Sequence, residues 1–64
     1  MTMLYFEYQG KLLARVKGDT PPPLSAKVRV NKQMYYVNTI SYDVDWDAEG
    51  SQHNMAIRVH LIPY

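Results

Sequence analysis

Ile40-Ser41-Tyr42-Asp43-Val44-Asp45-Trp46-Asp47 sets apolar side chains at 40, 42, 44 and 46 and polar ones at 41, 43, 45 and 47. Strict period two is the pattern of a strand with one face on a core and the other in water. Ala48-Glu49-Gly50-Ser51-Gln52-His53-Asn54 follows with turn chemistry and no apolar periodicity. Beyond it Met55, Ile57, Val59 and Leu61 alternate with Ala56, Arg58 and His60. Together the runs predict an antiparallel hairpin that hides Ile40, Tyr42 and Val44 and shows its aspartates to water.

Moving back from Ile40, the parity has to be reconciled with Gln33-Met34-Tyr35-Tyr36-Val37. If Tyr35 and Val37 face the core, an extra residue is needed before Ile40, and a bulge at Asn38-Thr39 supplies it. If Met34 and Tyr36 face it instead, Asn38 joins them. The bulge is preferred, because a buried amide without a partner is costly.

Ala26-Lys27-Val28-Arg29-Val30 reads as a short strand with its valines inward, turned at Asn31-Lys32. Earlier still, Met3-Leu4-Tyr5-Phe6-Glu7-Tyr8 and Lys11-Leu12-Leu13-Ala14-Arg15-Val16-Lys17 flank Gln9-Gly10 and predict a first hairpin. Leu4 and Phe6 are expected to share a face with Leu12, Ala14 and Val16, which leaves Leu13 off-pattern and available for a contact surface. Between the hairpin and Ala26, Pro21-Pro22-Pro23 removes three backbone donors and fixes φ, so this stretch is a stiff connector. As a polyproline ligand it is too short and lacks flanking specificity residues.

The predicted architecture is all-β: a five-stranded, strongly bent antiparallel sheet or a small barrel resembling the SH3-like or OB-like kind, over one domain, residues 1–64. Helical repeats, phosphate-binding loops and dinucleotide fingerprints are absent from the sequence. A chain of 64 residues supplies a core worth only about 3–5 kcal/mol unless something adds to it. Cysteine is lacking, which removes disulfides and thiolate metal sites. Oligomerisation is the remaining route to added stability. With no long apolar run and acidic Glu7 near the start, the expectation is a soluble cytoplasmic chain without membrane contact.

The net charge of +1 conceals +4 over residues 1–37 and −3 over residues 38–64. Asp43, Asp45, Asp47 and Glu49 form an acidic stripe. Its calcium-loop flavour fails at Ala48, where such a loop requires glycine, so neither metal nor cofactor is expected. Arg58 is expected across from Asp43 or Asp45, with His60 one step along. A stripe of this kind suits a basic partner, whether a protein or the basic half of another copy. Arg15, Lys17, Lys27 and Arg29, near Tyr35, form a candidate nucleic-acid or anion-binding face, less favoured at a net charge this low.

Catalysis is not expected, since His53, His60, Ser41 and Ser51 show no local base-and-acid pattern. Leu13, Met34, Tyr36, Ile62 and Tyr64 are surplus apolar residues that suit a homo-oligomer contact. The expected function is a non-catalytic interaction module, of a size common among phage-encoded accessory proteins, that self-associates and binds a macromolecular partner. Single-stranded nucleic-acid binding and sequestration of a small anion at a subunit junction are the alternatives.

Overall fold

The computed structural model describes residues 2–47 and 52–64, with the side chains of 47, 52 and 53 outside the description. Five strands form in chain order: β1 (Thr2–Tyr8), β2 (Lys11–Lys17), β3 (Lys27–Val30), β4 (Gln33–Asp47) and β5 (Gln52–Pro63). They make one sheet in the order β2-β1-β5-β4-β3, curled into a nearly closed barrel. All neighbours are antiparallel except β1 and β5, which run parallel from Thr2↔Met55 to Tyr8↔Leu61. That pair departs from a purely antiparallel sheet. Turn chemistry dictates direction only for strands joined by short loops, and the first and last strands meet across the whole chain.

β5 lies at the centre, and its odd-numbered residues carry the core. Ile57 and Val59 have no exposed surface, and Leu61, Leu4, Val30 and Val37 complete the buried cluster. At roughly 1.5–3 kcal/mol for each fully buried aliphatic side chain, this strand dominates the apolar stabilisation. β1 pairs with β5 as far as Leu61, and Ile62 and Tyr64 beyond it remain exposed.

Two irregularities set which residues face inward. In β4 the pairing with β5 shifts between Val37 and Thr39, so Asn38 is the extra residue. Tyr35, Val37, Ile40, Tyr42 and Val44 thereby share one face, as the bulge predicts. In β2 a second shift falls opposite Phe6 and Glu7. It corrects the expectation for the leucines: Leu13 turns inward and packs against the core, whereas Leu12 is exposed. A residue inserted into one strand reverses the parity of everything before it, and no turn residue marked this one.

Both tight turns use left-handed backbone. Gln9 and Gly10 have φ of 51° and 78°, and Asn31 and Lys32 have 50° and 69°. Positive φ at both central residues matches the right-handed twist of the flanking strands. The connector from β2 to β3 is anchored at its ends by Gly18 N–H to the Thr2 carbonyl (3.2 Å) and Ser25 N–H to the Val37 carbonyl (2.9 Å). It joins the two edge strands, which the curl of the sheet brings within its reach.

Candidate interaction surface

β4 outruns β3. Its pairing with β3 covers Gln33 to Tyr36, and Val37 bonds to Ala26 and Ser25. Among the described residues, Thr39 to Asp47 pair only with β5. The β4–β5 ribbon thus extends past the barrel with a free edge, and the molecule measures 44 × 20 × 19 Å.

On the ribbon's inner face the apolar series continues after the core has ended. Tyr42, Val44 and Trp46 are 55%, 58% and 64% exposed. This corrects the expectation that Tyr42 and Val44 are hidden: period two places them on the inward side, but no strand lies opposite at that height. Beside the free edge, Leu24, Asn38, Thr39, Ile40 and Tyr42 line a shallow hollow of about 350 Å³. Leu24 is itself exposed.

The outer face carries the charge. Asp43 pairs with Ala56, and Arg58 stands across from Ser41. Arg58 therefore meets Asp43 diagonally rather than directly, through Nε to Oδ2 at 2.8 Å. Its Nη1 reaches Glu7 Oε2 on β1 at 2.6 Å, and its guanidinium lies 5.4 Å from the Tyr5 ring. The hydrogen bond to Asp43, followed by that to Glu7, raises the Arg58 pKa above its ordinary value. The small Ala56 leaves an open groove of about 640 Å³, walled by Met3, Tyr5, Asp43, Asp45 and Arg58. Asp45 extends the acidic stripe on this face. Glu49 and the Asp47 side chain lie outside the described residues.

Ser41 Oγ lies 3.2 Å from His60 Nε2, and His60 Nδ1 lies 3.6 Å from Glu7 Oε1. Sequence reasoning missed this row, because the three residues meet only through pairing across β1, β5 and β4. The order of groups is that of an activated serine, but 3.6 Å exceeds hydrogen-bond length. Glu7 is also engaged by Arg58. Water reaches Ser41 and His60 on this sheet face, whereas the Glu7 side chain is only 16% exposed.

The candidate cationic residues lie on the two edge strands, which the curl of the sheet brings towards each other. Arg15 and Lys17 sit on β2, and Lys27 and Arg29 on β3, at opposite ends of the strand order. Tyr35 faces inward, with its ring 5.3 Å from that of Tyr8. Of the surplus apolar residues, Tyr36 pairs with Ile62 and stacks on Tyr64 at 5.1 Å, with Lys27 Nζ 5.3 Å from the Tyr64 ring. Met34 precedes them by two residues on the same strand face. Leu13 packs against the core and lines a hollow together with Met34 and Pro63.

Fold and surface define a small all-β protein, a nearly closed barrel with a two-faced protruding ribbon. No family model matches the chain, and no curated protein or solved structure shows significant similarity to it. No helix among the described residues is long and apolar enough to cross a membrane.

Proposed function

We propose that this protein acts by contact rather than catalysis, as an interaction module that self-associates through its ribbon and offers its acidic outer face to a basic macromolecular partner. One observation carries the reading: Tyr42, Val44 and Trp46, three large apolar residues in succession on one face, stand more than half exposed beside an unpaired strand edge. Scattered apolar residues on a surface are ordinary, whereas a contiguous row with a free edge marks a place where another chain packs. Tyrosine and tryptophan bring large area at little cost in side-chain freedom. The aspartates on the opposite face remain in water while the apolar face is covered.

Sedimentation equilibrium across a hundredfold concentration range tests the first half of the reading. A mass above one chain that rises with concentration is expected, and Val44→Lys should abolish the rise. Retention on a basic polypeptide surface at low salt, lost in Asp43→Asn/Asp45→Asn, tests the second half. Retention on a single-stranded oligonucleotide in place of the basic surface would replace this reading with nucleic-acid binding.

A further inference from the structure

We infer that two copies join edge to edge through β4, antiparallel about a two-fold axis at Tyr42, with Trp46 of each copy seated beside Leu24 of the other. The inference rests on the self-association just proposed and specifies its geometry.

Three observations fix the pairing. First, among the described residues the edge of β4 from Thr39 to Asp47 is free. β4 approaching β4 across a two-fold axis gives an antiparallel pair with both inner faces on the same side, and closed two-fold assembly is the commonest kind.

Second, charge selects the register. Centring the pair on Asp43 sets that carboxylate opposite itself, and centring it on Val44 sets Asp43 opposite Asp45. Like charges directly across a pair are destabilising. Sliding the other way, to Ser41, carries the approaching strand onto Val37, whose outer edge is already bonded to Ala26 and Ser25. Centring on Tyr42 removes the opposed aspartates and brings only Asp47, the last residue of the strand, level with Val37: Asp43 then faces Ser41, Asp45 faces Thr39, and Val44 faces Ile40. It is the longest alignment without directly opposed aspartates.

Third, that same alignment is self-complementary in shape. It brings Trp46, 64% exposed, opposite Asn38, which lines the hollow shared by Leu24, Ile40 and Tyr42. The projection and the recess lie on one edge of one chain, as an isologous interface requires. Leu24, Tyr42, Val44 and Trp46 expose roughly 500 Å² on each copy, about 1,000 Å² at most for the pair, the size of a weak and transient contact.

Because the chain has no cysteine, a single introduced thiol reports the register. Residues facing each other on the axis have Cα atoms about 4.5–5.5 Å apart, within disulfide reach. Tyr42→Cys should therefore oxidise to a covalent dimer. Trp46→Cys should remain reduced, since the two positions would stand roughly 27 Å apart along the pair. Tyr42 is largely exposed, so the substitution leaves the core intact, and an unchanged far-ultraviolet circular dichroism spectrum and urea transition confirm the fold. In the unmodified protein the Trp46 emission should shift to the blue as concentration rises, and Leu24→Asp should weaken dimerisation at least tenfold. If the protein sediments as a dimer while Tyr42→Cys fails to cross-link, the two-fold pairing is wrong and self-association stands. A single-chain mass at every concentration overturns both.

Discussion

Tyr42 pairs directly with Ile57, yet Ile57 has no exposed surface and Tyr42 is 55% exposed. Ile57 is covered by β1 through Leu4, whereas the other side of Tyr42 is the free edge of β4. The boundary between core and contact surface runs between these two side chains.

Mutations on either side of that boundary should separate accordingly. Ile57→Ala is expected to cost about 2–5 kcal/mol, because it opens a cavity in a packed cluster. Trp46→Ala should change monomer stability by no more than about 0.5 kcal/mol, despite removing a larger side chain. Urea denaturation at a concentration low enough to keep the chain monomeric, followed by far-ultraviolet circular dichroism, compares the two.

The bulge at Asn38 makes a harsher test. Asn38 is exposed, so Asn38→Ala should be tolerated within about 0.5 kcal/mol. Deleting Asn38 leaves Val37, Thr39 and Ile40 consecutive and opposite Leu61, His60 and Val59, so both apolar residues keep the inward face and only the local bend is lost. The deletion variant should therefore keep a cooperative urea transition, and its loss would show that the bend itself, beyond the register, is required.

Lys32 sits at φ 69°, a left-handed conformation that costs a residue bearing a Cβ about 1 kcal/mol or more. With Asn31 before it, Lys32→Gly creates the preferred dipeptide for this turn. A gain of up to about 1 kcal/mol in denaturation is expected after the added flexibility of the unfolded chain is subtracted. Destabilisation would mean that the lysine side chain makes a contact worth more than the strain.

Arg58 bonds two carboxylates of different exposure, the Glu7 side chain at 16% and that of Asp43 at 62%. Double-mutant cycles with Glu7→Gln and Asp43→Asn should give the larger coupling to Glu7. Raising the salt concentration should erode the Asp43 coupling first, because water and ions screen the open pair more completely. Equal couplings with equal salt dependence would contradict this ordering.

By itself the sequence determined the elements, the two-faced character of β4 and the parity change at Asn38. These are local consequences: alternation reports which side chains share a face, and an unpartnered amide resists burial. The same reasoning could not find the bulge in β2, which no turn residue signals, and so it exchanged the roles of Leu12 and Leu13. Only the tertiary structure decided that β1 lies parallel to β5, that Ser41, His60 and Glu7 come into a row, and that β3 ends too early to flank the ribbon. Alternation states that Tyr42, Val44 and Trp46 point the same way as Ile40. Whether anything stands there to meet them depends on the lengths and order of the other strands, a property of the assembled sheet and not of any one segment.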